Sequence, residues 1–152
     1  MNTSSVVHPS AATLMARHIE LIGTDLKAWL QLLAPEPAIE FPYGPSLGTA
    51  SRLEGTKAIE AHMRSFTGTI GPFRFTDLAI TESTDGTQAW ASFHGEAWAE
   101  ERQVMYRQDY AAFLKIEDGK IKLYREYWNP CHVAYALGAE LQLDASEGSE
   151  KS

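Results

Sequence analysis

The stretch that decides the fold is "QVMYRQDYAAFLKIEDGKIKLYREYWN", Gln103 to Asn129. At its centre, Asp118-Gly119 is a two-residue signal for a tight hairpin turn. The residues on both sides are rich in aromatic and aliphatic side chains, as strands are. The stretch therefore predicts two long antiparallel strands, Gln103 to Glu117 and Lys120 to Asn129.

Two further strands are predicted immediately before this hairpin. Phe73 to Ser83 and Gln88 to Glu100 are separated by "STDGTQ", whose Asp85-Gly86 pair is another turn signal. Four consecutive strands joined by short turns form an antiparallel meander.

The first half of the chain has helical periodicity. Apolar residues recur at helix spacing from Ser10 onward, with an interruption at Gly23, and a further helix is expected to begin at Thr56. Between them, residues 38–43 predict a short strand and residues 44–52 a loop rich in Gly, Ser and Pro.

Helices followed by a meander predict an α+β fold, with helices packed on one face of a curved antiparallel sheet. A sheet that curls around helices leaves a hollow at one end, which is the usual place for a small-molecule site. The predicted domain covers residues 11–143, with flexible segments at 1–10 and 144–152.

Composition excludes several classes of function. The net charge of -7, with no basic cluster, argues against nucleic-acid binding. The apolar runs are too short to span a membrane. A single cysteine, Cys131, and an N-terminus without signal-peptide features predict a cytoplasmic protein.

Glu126 is the first candidate for chemistry. If the last strand is extended, Glu126 shares one face with Tyr124 and Trp128. A carboxylate between two aromatic side chains lies either at a water-facing rim or inside an apolar hollow. In a hollow, loss of hydration raises its pKa towards neutrality, so that it can donate or accept a proton.

The strand "AWASFHGEAWA" contributes further candidates. Its bulky and polar side chains alternate with small ones, and its two Trp residues predict that the bulky face lines the cavity. In this interpretation His94 and Glu96 join Glu126 as catalytic residues. The side chains expected to contact the substrate are Tyr43, Trp90, Trp98, Tyr124, Trp128 and His62.

The small face of the same strand predicts an interface. Ala89, Ala91, Gly95 and Ala97 would pack against a neighbouring layer or a partner subunit, and we expect a homodimer. A purely structural role on an exposed sheet face remains open for His94 and Glu96. No metal or cofactor motif is present, and none is expected.

Four motifs resemble a known family: "FPYGP" at 41–45, "RLEGTKAIEAHM" at 52–63, "KIEDGKI" at 115–121 and "YREYWNP" at 124–130. They are similar to the SnoaL-like branch of the nuclear transport factor 2-like superfamily, nearest to the phenazine-biosynthesis A/B proteins. The resemblance implies a cone of curved sheet closed by helices, often dimeric through the outer sheet face. It implies that Glu126 is the catalytic acid/base.

The same resemblance has gaps. The phenazine proteins use a His shortly after the third helix, where this chain reads "SFTGTIG" at 65–71. A more distant epoxide-hydrolase branch implies catalytic roles at the positions of His94 and Glu96.

Three functional hypotheses follow. The first is an enzyme that uses cofactor-independent acid–base chemistry on a small, largely apolar or aromatic molecule, by isomerisation, cyclisation, condensation or dehydration. The second is a non-catalytic protein that binds such a molecule. The third is a protein-association domain, which would have a filled interior.

Overall fold

The computed structural model describes residues 7–142 of the chain. In this part, four α-helices cover one face of a single curved sheet of six strands, so the predicted α+β fold is confirmed. Of the segments predicted to be flexible, 144–152 and most of 1–10 lie outside the described residues. No helix between residues 7 and 142 is long and apolar enough to cross a membrane.

The first two helices begin at residues that cap them. Helix α1, Ala11–Ile22, follows Ser10, whose hydroxyl accepts a hydrogen bond from the backbone N of Thr13. Helix α2, Leu26–Leu30, is capped in the same way by Asp25. The later helices are α3, Thr56–Thr69, and α4, Pro130–Leu137.

The sheet is a meander extended by one parallel pairing. Its strands are β1 (Leu33–Glu40), β2 (Arg52–Glu54), β3 (Arg74–Glu82), β4 (Gln88–Ala99), β5 (Val104–Glu117) and β6 (Lys120–Tyr127). They lie in the order β2-β1-β6-β5-β4-β3, and β1 runs parallel to β6. Strand β2 begins at the last residue of the segment 44–52, which was predicted to be a loop. Strand β1 begins before the predicted start at residue 38, because "APEP" at 34–37 is also extended. The predicted turn between β5 and β6 has positive φ at both Asp118 and Gly119, as the tightest hairpin turn requires.

Irregularities in the strands curve the sheet. The β3–β4 register shifts between Thr76 and Ala79, where Asp77 has φ 59°, and the β1–β6 register shifts near Glu36, with φ 51°. Such bulges bend a strand and increase its twist. The sheet therefore wraps around the helices and encloses a hollow.

The inner face of β4 is the opposite of the predicted one. Ala89, Ala91 and Ala97 are buried under the helices, whereas Trp90 and Trp98 lie outside with exposed fractions of 47% and 41%. Small side chains let α1 approach the sheet closely, which explains their use inside. The alternative that these alanines pack against a neighbouring layer is therefore confirmed, and the expectation that they form an interface with a partner subunit was wrong.

Candidate active site

The helices and the inner face of the sheet enclose a cavity of about 210 Å³. An apolar cavity of about 150 Å³ already holds one benzene ring, so there is room for a somewhat larger molecule. The wall is mostly apolar. Its titratable side chains are His18, His62, Tyr106, Tyr110, Tyr124 and Glu126. Within residues 7–142, no Lys or Arg side chain lines the cavity.

Glu126 reaches this cavity from β6, as the alternation of the strand predicts. It lies opposite Ala112 of β5, which is completely buried. Glu126 lines the cavity, and burial raises the pKa of its carboxyl to about 7. At neutral pH the group is thus divided between its acid and its base form.

Tyr124 is the direct partner of this carboxyl. Its hydroxyl donates a hydrogen bond of 2.6 Å to Glu126 Oε2, which favours the ionised form and partly opposes the effect of burial. Glu126 Oε1 has no hydrogen-bond partner among residues 7–142. One carboxyl oxygen is therefore held and the other is available to a ligand.

Two more tyrosines form a hydroxyl pair on the cavity wall. Tyr106 Oη and Tyr110 Oη are 3.1 Å apart. The amide of Gln108 is oriented by the backbone of Asn129, from which its oxygen accepts, so its nitrogen must donate to Tyr106 Oη. A single hydrogen bond joins the two hydroxyl groups and uses one of their two protons. The other hydroxyl proton has no acceptor within the pair. Burial raises the pKa of both tyrosines and keeps them protonated.

His62 and Trp128 lie on the cavity wall as predicted. The ring of Phe41 packs near both, with its centroid 5.2 Å from that of His62 and 6.4 Å from that of Trp128. Burial lowers the pKa of His62, which favours the neutral imidazole. These residues can supply aromatic surface to a ligand.

His18 was not predicted as a site residue. It is only 2% exposed and lines the cavity from α1. The signal was present in its spacing, since His18 lies three residues after Met15 and four before Ile22 on the apolar face of the helix. Its ring centroid is 4.2 Å from that of Tyr124.

His94 and Glu96 do not point into the cavity, so the prediction that they converge with Glu126 was wrong. They lie on the outer face of β4. His94 is hydrogen-bonded to Asp109 at 2.8 Å and to Glu96 at 3.1 Å, and Glu96 also contacts Arg107 at 3.2 Å. The hydrogen bonds that its ring makes to the carboxylates of Asp109 and Glu96 raise the pKa of His94, and the hydrogen bond accepted from His94 lowers the pKa of Glu96.

Three predicted contact residues are also outside. Trp90, Trp98 and Tyr43 are 41% to 47% exposed and do not line the cavity. Trp90 packs on Phe113 and Tyr127, and Tyr43 packs edge-on against Tyr127. We call Tyr43, Trp90, Phe113 and Tyr127 the outer aromatic patch.

No metal site is evident in the part of the chain that the structure describes. Between residues 7 and 142, no three His, Cys, Asp or Glu side chains are grouped so that they could hold an ion.

A curved sheet closed by helices around an apolar cavity, with one buried carboxyl, defines a small-molecule domain of the SnoaL-like type. The SnoaL-like domain family matches residues 16–124, and the chain belongs to this family. The predicted resemblance is thereby confirmed.

Individual relatives agree with this assignment. The chain is 41% identical over 114 residues to an uncharacterized PhzA/B-like protein of Pseudomonas aeruginosa, covering 75% of this chain and 79% of the relative. A Bacillus subtilis crystal structure, proposed to be an isomerase, superposes with a TM-score of 0.77 at 31% identity, covering 87% of this chain and 96% of that one.

A third comparison shows the fold alone. A phenazine biosynthesis-related protein of Pseudomonas aeruginosa superposes with a TM-score of 0.72 at 15% identity, covering 88% of each chain. Proteins proposed to be an isomerase and a polyketide cyclase are also among the structural neighbours of this chain.

Proposed function

We propose that the protein is an enzyme that uses cofactor-independent acid–base chemistry at Glu126 on a small, largely apolar molecule. The observation that carries this proposal is a carboxyl with a pKa of about 7 inside an apolar cavity. A general acid or base is most effective when its pKa lies near the working pH. Isomerisation, cyclisation, condensation and dehydration all need such a proton transfer.

The geometry around Glu126 supports this role. Tyr124 holds Oε2, so the carboxyl has a fixed orientation, and Oε1 is left to exchange a proton with a ligand. The neighbouring tyrosines carry no charge at neutral pH, and within residues 7–142 the cavity wall has no Lys or Arg to keep the carboxyl ionised. The group can therefore alternate between its two forms during a reaction.

The second candidate is a non-catalytic protein that binds the same kind of molecule. The apolar wall supports binding as well as it supports catalysis. A binding protein, however, gains little from a desolvated carboxyl, which is costly to bury. Glu126 is the observation that favours the enzyme.

Proton abstraction can be measured without the natural substrate. In D₂O, 1-indanone exchanges the protons on the carbon next to its carbonyl when a base removes them. We expect the protein to accelerate this exchange, followed by proton NMR. Glu126→Gln should lower the acceleration by about 10² to 10⁴, the usual contribution of a general base.

Glu126→Asp is the matched control, because it retains a carboxyl in a slightly displaced position. It should retain part of the exchange rate that Glu126→Gln loses. Binding of 1-indanone without any acceleration of exchange would contradict the enzyme and favour the binding protein.

For the assembly, we propose a homodimer through the outer aromatic patch. Trp90 and Tyr43 are large side chains that are nearly half exposed, and they belong to one continuous set of packed rings. A second copy of the patch would cover these rings, and a stable contact should bury at least about 1,000 Å² in total. Sedimentation velocity at micromolar concentration should show a dimer, and Trp90→Glu should show a monomer. A monomeric wild-type protein would contradict this proposal.

A further inference from the structure

His18 is held in one neutral tautomer by Trp29. The indole Nε1 of Trp29 donates a hydrogen bond of 2.7 Å to His18 Nδ1. An indole N–H can only donate, so Nδ1 must be the unprotonated nitrogen of the ring. Burial holds the pKa of His18 at about 3, so the imidazole is neutral at physiological pH. Its single proton is therefore on Nε2.

The Nε2–H group meets the cavity. His18 Nε2 has no hydrogen-bond partner among the described residues, although the side chain is only 2% exposed. Within the same part of the chain, no side-chain nitrogen or oxygen is both sealed off and unpaired. The open space next to Nε2 is thus the cavity that His18 lines. The structure therefore contains an oriented donor that is open to the cavity and has no acceptor among the described residues.

We propose that His18 Nε2–H is the hydrogen-bond donor that binds the carbonyl oxygen of a neutral ligand in this cavity. The chemistry of the wall selects the ligand class. A neutral N–H donor needs an acceptor, and burial of an anion would require a positive charge that the described wall lacks. A neutral ketone or aldehyde on an apolar ring system satisfies both conditions.

His18 and the carboxyl of Glu126 both contact the side chain of Tyr124. The ring of Tyr124 packs against His18 at 4.2 Å between centroids, and its hydroxyl binds Glu126. A carbonyl compound in the cavity can therefore meet the imidazole with its oxygen and the carboxyl with an adjacent carbon.

The catalytic consequence of this assignment rests on the proposed function. Glu126 would remove a proton from the carbon next to the carbonyl, the C–H electron pair would form a C=C bond, and the carbonyl π electrons would move to the oxygen. His18 Nε2–H would donate to that oxygen as its negative charge develops. Return of the proton from Glu126 to a different carbon of the conjugated system, as the electrons on the oxygen re-form the carbonyl, completes an isomerisation without any co-reactant.

The test compares two probes that differ in the carbonyl group. Titration calorimetry measures the affinity of the wild-type protein for 1-indanone and for indane. We expect about a tenfold preference for 1-indanone, the usual effect of one buried hydrogen bond. His18→Phe should abolish the preference. His18→Gln should retain it, because the amide can accept from Trp29 and donate to the ligand.

Glu126→Gln separates this proposal from the proposed function. The variant should keep the preference for 1-indanone even if it loses proton exchange. A preference that disappears in Glu126→Gln but persists in His18→Phe would assign the donor to the carboxyl and overturn the role of His18. Failure of both probes to bind would overturn neutral carbonyl compounds as the ligand class.

Nitrogen-15 NMR of the histidine rings provides a second readout. If His18 had only a structural role, its ring signals would not respond to the ligand. The free protein should show the Nε2–H tautomer of His18 from pH 5 to pH 8, and 1-indanone should move its Nε2–H proton downfield. A protonated ring at pH 6, or an Nε2–H resonance that does not respond to bound 1-indanone, would overturn the proposal.

Discussion

Tyr124 Oη donates a hydrogen bond of 2.6 Å to Glu126 Oε2, and the two residues lie two positions apart on the same face of β6. This bond lowers the pKa of the carboxyl while burial raises it, and burial dominates. The result is a carboxyl poised near neutrality.

Removal of this hydroxyl should shift the pH dependence. In Tyr124→Phe, the ionised carboxyl loses a donor, so the pKa of Glu126 should rise above about 7. We expect the rising limb of the rate of 1-indanone exchange to move to higher pH, because the base form appears later. A carboxyl-resolved NMR titration measures the same pKa directly. An unchanged midpoint would show that the hydroxyl does not hold the carboxyl in solution.

Glu126 should also make stability depend on pH. Its pKa is about 7 in the folded protein, against the ordinary value of 4.5 for a glutamate in water. The stabilisation by the bound proton is complete below pH about 4.5 and is lost as the pH rises through about 7. Relative to Glu126→Gln, the free energy of unfolding should fall by up to about 3 kcal/mol between pH 4.5 and pH 8. Urea unfolding at several pH values measures this difference.

Glu96→Gln is the matched control for that measurement. The pKa of Glu96 is lowered by its hydrogen bond to His94, so any stabilisation is present above the unfolded pKa and lost as the pH falls. The two variants should therefore have pH dependences of opposite sign. The same sign in both would contradict the environments assigned to the two carboxyls.

The outer-face cluster should be dispensable for proton exchange. His94 and Glu96 bond to each other and to side chains on the outer face of β4 and β5, away from the cavity. We expect His94→Gln and Glu96→Gln to change the exchange rate of 1-indanone less than twofold. A loss of exchange rate comparable to that in Glu126→Gln would show that His94 and Glu96 take part in the reaction.

A pair of glycines offers a packing test. A Cβ at Gly95 would lie 2.9 Å from Tyr110 Cε2 and 3.0 Å from Phe75 Cε1, so Gly95→Ala must displace aromatic rings of the inner face. We expect a loss of about 1 to 3 kcal/mol in the free energy of unfolding. Gly68 of α3 has no atom within 4 Å of such a Cβ, and Gly68→Ala should stabilise by about 0.5 to 1 kcal/mol. Equal effects of the two substitutions would contradict the packing around Gly95.

The sequence was sufficient to place Glu126 but not His94. Alternation within a strand determines which residues share a face, and it does not determine which face is inside. Two Trp residues in β4 favoured the wrong face. The neighbouring strand contained the better signal, since Arg107 and Asp109 of β5 are charged and alternate with Tyr106, Gln108 and Tyr110. In the observed register, His94 lies opposite Asp109 and therefore faces outward.

Other parts of the site depend on contacts that no local pattern contains. The tautomer of His18 depends on Trp29, eleven residues further along the chain. The orientation of Gln108 depends on Asn129, twenty-one residues away. The parallel pairing of β1 with β6 likewise needs the complete meander, because β1 carries no sequence signal for its partner.

We expect that parallel pairing to affect the order of folding. Glu40 of β1 contacts Arg125 of β6 across 85 positions, whereas β3 to β6 are joined by short turns. Distant contacts require the closure of a long loop and tend to form late. Because β1 supplies Ile39 to the cavity wall, the cavity would be completed only in the last steps of folding. A ligand bound there would then slow unfolding more than it accelerates folding. Its main effect would be a longer lifetime of the folded domain.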